Sequence, residues 1–244
     1  MKSARRAVID VGTNSVKLLV ADVDGQKVRP ILEESRQTRL GKNFYGTHRL
    51  QADAIALTAK AVAEFVQLAG NKNSNSIRAF ATSAARDAIN PGDLVSAIAD
   101  ACQLNLEIIS GAQEAEWAFQ GATRGTDLAR TPLLLLDVGG GSSEFILGHG
   151  GRKSYARSFP LGTVRLMETC PHGDPPTPGE FFFCRDWVQT FLEQQVSPEL
   201  RPFLQREKES GIIQLAGTGG TATILARMEL KSDQFDRDQI EATR

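Results

Sequence analysis

The chain has 244 residues, enough for two domains of ordinary size. Its 41% apolar content fits a packed globular protein and excludes a disordered one. The formal net charge of −1 argues against a broad nucleic-acid or anionic-membrane surface, while still allowing a local basic cleft.

The first half begins with three predicted strands, at about 7–9, 16–23 and 28–32. Turns at 10–15 and at Asp24-Gly25-Gln26 separate them, the second carrying an Asp-Gly hairpin signal. A helix is predicted over 52–69, because Ile55, Ala59, Val62 and Val66 recur at helical spacing. A strand at 77–81 follows, then a helix over 93–102 started by Asn90-Pro91-Gly92. A strand at 106–109 and a helix over 113–122 complete a βββ-α-β-α-β-α order.

The pattern restarts at Leu133, with strands at about 133–137, 144–148 and 153–159. Residues 170–179 are proline-rich and read as a loop. A helix over 181–196 aligns Phe183, Trp187, Phe191 and Leu192. A strand at 212–216, a glycine turn at 217–221 and a helix to about Met228 follow. The expected domains are 1–124 and 125–244, joined near 125–131, and the second stops before a last β-α pair.

Cys102, Cys170 and Cys184 are few, odd in number and without metal spacing, so free thiols in a reducing compartment are expected. His48, His149 and His172 are scattered, and His172 reads as structural. The basic start Met1-Lys2-Ser3-Ala4-Arg5-Arg6 lacks a signal core, because Asp10 interrupts the apolar run. No apolar run approaches membrane-spanning length, and the expected location is the cytoplasm.

One turn occurs twice. Asp10-Val11-Gly12-Thr13-Asn14-Ser15 and Asp137-Val138-Gly139-Gly140-Gly141-Ser142 each end an apolar run and precede another. A carboxylate beside a Gly/Ser turn suits magnesium-bound phosphate: the acid holds the metal's water shell and backbone N–H groups bind phosphate oxygens. A plain hairpin turn is the bland alternative. Three successive glycines are costly in a plain hairpin, and close approach of backbone to an anion is the better reason for them.

Six blocks in order carry a resemblance: Asp10-Val-Gly-Thr-Asn-Ser, Arg39-Leu-Gly, Ala81-Thr-Ser-Ala-Ala-Arg86-Asp-Ala, Ile109-Ser-Gly-Ala-Gln-Glu114-Ala, Asp137-Val-Gly-Gly-Gly-Ser-Ser-Glu144 and Gly217-Thr-Gly-Gly-Thr. Together they resemble the exopolyphosphatase/guanosine pentaphosphate phosphohydrolase (Ppx/GppA) family, of the acetate and sugar kinase/heat-shock/actin superfamily. The resemblance implies an α/β fold of two ribonuclease H-like (actin-like ATPase) lobes with a cleft between them. It also implies further C-terminal segments, so the second lobe is expected to be incomplete. Release of terminal phosphate from polyphosphate or guanosine pentaphosphate, by metal-assisted in-line water attack, is the implied activity.

By the same resemblance Glu114 is the general base, with Arg86 clamping the transferred phosphoryl group. An acid favoured by the helix N-terminus is the bland reading of Glu114, an ion pair with Asp87 that of Arg86. Glu116 is a neighbouring alternative base, out of register with the family block. Asp10, Asp137 and Glu144 are the expected Mg2+ ligands, directly or through water, although Glu144 also reads as a solvated strand residue. Gly12, Thr13, Asn14, Ser15, Lys17, Arg39, Gly139, Gly140, Gly141, Ser142, Ser143 and Arg165 are expected to bind phosphate. Lys17 stands where the family usually has arginine, which turns a bidentate clamp into a point charge. Gln113 replaces a common acid beside Glu114.

The expected partner is the polyphosphate or guanosine pentaphosphate substrate, with no nucleic acid and no membrane; a homodimer is left open. Two other readings keep the fold: an ATP-using kinase or actin-like ATPase, and a non-catalytic sensor of polyphosphate or an alarmone.

Overall fold

A computed structural model describes residues 4–25, 27–124, 126–209 and 211–243. Residues 1–3 of the basic start, Gln26 of the expected hairpin and Gly125 of the expected linker lie outside the described residues. The chain divides into two compact units: one runs to Glu114 and includes Val164–Pro175, the other comprises Ala115–Thr163 and the chain from Pro176. The expected boundary at 124/125 differs from this division, because contacts assign the rest of the 113–122 helix to the second unit.

In the first unit β1 (Ala4–Val11), β2 (Ser15–Asp24) and β3 (Lys27–Gln37) form an antiparallel meander. Then come α1 (Ala52–Asn71), β4 (Ser76–Ala81), α2 (Ser83–Asp87), α3 (Pro91–Cys102) and β5 (Leu106–Ile108). The sheet order is β3-β2-β1-β4-β5, with β4 parallel to β1 and β5 parallel to β4. Alternation decides which face is buried: Ala7, Ile9 and Val11 of β1 and Val16, Leu18 and Val20 of β2 enter one core. Ile55, Ala59, Val62 and Phe65 of α1 cover them, at the spacing that keeps one helix stripe apolar.

The chain enters the second unit along α4 (Gly111–Thr123), whose first turn still belongs to the first unit. There β6 (Leu133–Val138), β7 (Ser143–His149) and β8 (Arg152–Phe159) repeat the meander. After them come α5 (Thr163–Thr169), α6 (Pro178–Phe191), a π-helical turn at Leu192–Val196 and α7 (Ser197–Lys208). β9 (Gln214–Thr218), α8 (Gly219–Leu230) and α9 (Arg237–Ala242) follow. The order β8-β7-β6-β9, with β9 parallel to β6, reproduces the first four strands of the other sheet. The two ribonuclease H-like lobes are therefore present as two sheets of matching connection.

Both faces of the second sheet are covered. Leu133, Leu135 and Ile146 pack with Ala115 and Phe119 of α4. On the opposite face Phe145, Leu147, Tyr155 and Phe159 pack with Val196 and Leu200. This two-sided burial explains why β7 reads as an apolar run rather than an alternation.

Several elements depart from expectation. α2, α5, α7 and α9 were not predicted; α2, α5 and α9 have only 5, 7 and 6 residues, and α7 carries Pro198 and Pro202. The loop expected through Gly179 ends earlier, because Thr177 and Glu180 form a capping box and Pro178 sits in the first turn of α6. The strand expected at 212–216 lies at Gln214–Thr218, where its register with Leu133–Asp137 places it. No described helix is long and apolar enough to cross a membrane.

Phe65 is 0% exposed, beneath the first sheet. Phe65→Ala is expected to lower stability by about 3–5 kcal/mol, the transfer and cavity cost of a buried phenyl group. Urea unfolding read by circular dichroism checks this.

Candidate active site

The repeated turn is the same object in both units. Gly12 N–H donates to the Ser15 carbonyl at 3.0 Å, and Gly139 N–H donates to the Ser142 carbonyl at 3.0 Å. Each bond closes a hairpin tip between two antiparallel strands. Each tip is also braced by chain that follows the third strand. In the first unit, Thr38 and Arg39 N–H groups donate to the Asn14 carbonyl at 3.1 and 2.9 Å, and Gly41 N–H to the Thr13 carbonyl at 2.8 Å. In the second, Thr163 N–H donates to the Gly139 carbonyl at 3.0 Å. A Cβ on Gly41 would overlap the Thr13 methyl, and one on Gly162 would lie 2.5 Å from the Gly140 carbonyl. Leu40-Gly41 and Leu161-Gly162 are thus a second repeat, unseen in the sequence because two residues are too few to notice.

This bracing decides what the tips can offer. Thr13, Ser142 and Ser143 are buried, and the Ser143 hydroxyl donates to the Leu161 carbonyl. Asn14 is half-buried and accepts from Gln37 at 3.4 Å, with Ser15 also half-buried beside it. The Gly12 and Gly139 N–H groups are themselves committed to closing the two tips.

Strand register places the acids. Asp10 stands directly opposite Lys17, and Asp137 directly opposite Glu144, at the same offset in the repeat. The first pair has opposite charges and the second has like charges. Two carboxylates opposed on adjacent strands are destabilising unless a cation is shared between them. Glu144 is not a solvated residue: it is 1% exposed and accepts from the Ser158 hydroxyl at 2.6 Å. Asp137 is half-buried and has Thr218 of β9 as its other neighbour in the sheet. A Cβ on Gly219 would land on the Asp137 carboxylate, and Thr221 donates to the Val138 carbonyl at 2.7 Å. The third glycine turn therefore packs against Asp137. No group of three or more metal-ligating side chains occurs among the described residues. A hydrated magnesium ion needs only one or two carboxylates, so Asp137 and Glu144 fit it.

Glu114 and Arg86 meet in the first unit. Glu114 lies in the first turn of α4, where Ser110 accepts the Gln113 N–H at 3.2 Å. Arg86 closes the short helix α2 directly after β4. Its Nη1 donates to Glu114 Oε2 at 2.8 Å and to the Ile109 carbonyl at 3.4 Å. The pair is largely sheltered, at 22% and 18% side-chain exposure, where a charge-assisted bond holds orientation better than at an open surface.

The other predicted cations separate into two kinds. Arg165 is held: it donates to Asp87 at 3.0 Å and lies 4.1 Å from the Tyr45 ring centroid. Burial pushes the Tyr45 phenol up to about 12, against the opposing pull of Arg165, so the ring stays neutral. Arg39 and Lys17 are exposed, with no ion pair among the described residues. Arg39 has φ 52°, a left-handed conformation unusual for a non-glycine residue and maintained by the bonds to Asn14. Glu116, the alternative base, belongs to the second unit and is engaged by Lys153 and Gln120. Lys153, then Gln120, hold its carboxyl below the usual range.

Asp87, Tyr45, Ser158, Gly162 and Gly219 were missed as site residues. Asp87, Gly162 and Gly219 lay inside segments that resemble the family, and nothing in their spacing separated them from their neighbours.

Gly219 has φ 81° as well as the close carboxylate. Gly219→Ala is expected to cost about 1–3 kcal/mol from backbone strain alone, with a further loss from displacing Asp137. The shift in urea midpoint measures it.

Comparison with known proteins agrees with this architecture. The model of the Ppx/GppA phosphatase family matches residues 19–243. Exopolyphosphatase 2 of Mycobacterium tuberculosis is 39% identical over 237 residues, covering 93% of this chain and 72% of that protein. The crystal structure of an exopolyphosphatase from Cytophaga hutchinsonii superposes with a TM-score of 0.82 at 26% identity, covering 96% of this chain and 73% of that one. The Aquifex aeolicus PPX-GPPA enzyme gives a TM-score of 0.72 at 31% identity, covering 98% and 75%. With the ordered blocks, the doubled sheet and a family match over most of its length, the chain belongs to the Ppx/GppA phosphatase family.

Proposed function

We propose that this chain is a phosphohydrolase that releases terminal phosphate from inorganic polyphosphate. The observation that carries the reading is the sheltered Arg86–Glu114 pair, in a chain 39% identical to an exopolyphosphatase. Guanosine pentaphosphate is proposed as a further substrate, since it presents the same terminal phosphoanhydride.

Glu114 accepts the proton of the attacking water. Arg86 Nη1 keeps that carboxylate oriented, while Nη2 makes no hydrogen bond among the described residues and is available to a phosphoryl oxygen. One guanidinium thus relates the base to the group under attack, which is the positioning that phosphoryl transfer depends on. The backbone turns at 12–15 and 139–143 supply N–H donors for phosphate oxygens. Asp137 and Glu144 would hold magnesium, which when bound neutralises phosphoryl charge. Asp10 faces Lys17, so the metal assignment rests mainly on the second-unit pair. The leaving group is itself a phosphate and carries its charge readily, so no general acid is required. Packing of Gly219 on Asp137 supports a structural role for the 217–221 turn over a nucleotide-holding one. Cys102, Cys170 and Cys184 form no disulfide among the described residues, which supports a reducing, cytoplasmic location.

Glu114→Gln is expected to slow phosphate release from polyphosphate by about 10²- to 10⁴-fold, the usual worth of a general base. A malachite-green assay with polyphosphate and guanosine pentaphosphate side by side, with and without magnesium, tests it; full activity in the variant rules out Glu114 as the base. Glu144→Gln should stabilise the metal-free protein by about 0.2–1 kcal/mol, by removing the like-charge opposition. It should also abolish the rise in melting temperature that magnesium gives the unmodified chain. Thermal unfolding across a magnesium series reads both effects, and an unchanged magnesium response would remove Glu144 from the metal site.

A further inference from the structure

Between β8 and α6 the chain makes an excursion. Val164–Pro175 belongs with the first unit, although the residues on both sides of it belong to the second. Two anchors hold this strap in place. The Glu168 carboxylate accepts the N–H groups of Phe44 and Tyr45 at 3.2 and 2.9 Å. Arg165, one turn earlier on α5, stacks on the Tyr45 ring at 4.1 Å and donates to Asp87 Oδ2 at 3.0 Å.

Asp87 does more than receive the strap. Its other oxygen, Oδ1, lies 3.8 Å from Arg86 Nε, and Arg86 holds Glu114 at 2.8 Å. A continuous line runs from Tyr45 through Arg165, Asp87 and Arg86 to Glu114, all inside the first unit. It contains two guanidiniums and two carboxylates, in alternation. Asp87 is flanked by both cations. Without it Arg86 would keep Glu114 but lose its second carboxylate, and the link between the two guanidiniums would be broken.

We propose that Asp87 is a positioning residue for the phosphohydrolase reaction, acting through Arg86 and Arg165. It keeps both guanidiniums in one anion-binding pair and, through Arg86, sets the orientation of Glu114. This rests on the function proposed above. Arg165 is then a fixed half of that pair, delivered by the strap.

The test is a double-mutant cycle of Asp87→Asn and Arg165→Met, with kcat and KM measured on polyphosphate in magnesium and melting temperature measured in parallel. Asp87→Asn should lower kcat/KM by about 10- to 100-fold, mainly in kcat, since small misplacements of catalytic groups cost this much. The melting temperature should change little. The double variant should be no worse than the poorer single variant, because both act on one unit. An unchanged kcat/KM in Asp87→Asn, or additive losses in the double variant, overturns the proposal. If Asp87→Asn does not fold, Glu168→Ala loosens the strap without touching Asp87. It should lower kcat/KM several-fold, and an unchanged value overturns the proposal. If the unmodified chain releases no phosphate from polyphosphate, the functional reading itself fails. Calorimetry with tripolyphosphate then decides: affinity weakened about tenfold in Asp87→Asn supports the pair. Equal affinity, or no binding by the unmodified chain, sinks it.

Discussion

A single backbone hydrogen bond, from the glycine to the serine of D-V-G-x-x-S, sets the register on which both halves of this protein depend. It closes the hairpin tip and thereby fixes which residue of the outgoing strand faces which of the incoming one. Side chains alternate along a strand, so a slip of one position would turn every side chain of the meander to the opposite face. The same register puts an acid opposite position 17 or 144. The tip therefore sets both the packing of the meander and the placement of the acids, and the two cannot be changed separately.

From one device the two units draw different chemistry. The first opposes Asp10 with Lys17, and its tip is braced by the turn carrying Arg39. The second opposes Asp137 with Glu144, and its tip is braced by Gly162 and backed by Gly219. An opposed pair of carboxylates is a local cost, which the proposed magnesium ion would offset. Conflict between a local rule and the global structure is where function is expected, and this opposition is one such conflict. The positive φ of Arg39 is another: a basic side chain kept in a strained conformation beside the first hairpin tip.

Legibility in the sequence followed the length and regularity of each signal. Strands β1, β2, β6 and β7 were visible because apolar residues cluster around a turn motif that occurs twice. Helix α1 was visible because twenty residues give its period room to repeat. Helices α2 and α5 were not: five and seven residues span too few turns for periodicity to register. The start of α6 was hidden because prolines around Thr177 read as loop, although Pro178 sits where a helix tolerates it. Glu114 could be singled out through its block, whereas Asp87, next to Arg86 in another block, gave no sign of bridging to Arg165, 78 residues away.

By itself the sequence determined the fold class, the doubled meander, the two repeated turns and the identity of Glu114 and Arg86 as candidates. These are properties of short segments, written in periodicity, turn chemistry and local blocks. Tertiary structure alone decided that Glu114 pairs with Arg86, that Glu144 is buried under a serine hydroxyl, and that Gly219 makes room for Asp137. It also decided that Val164–Pro175 leaves the unit of its neighbours in sequence. Each of these depends on contacts between residues far apart in the chain, and the energy of such contacts leaves no periodic trace in the segments that make them.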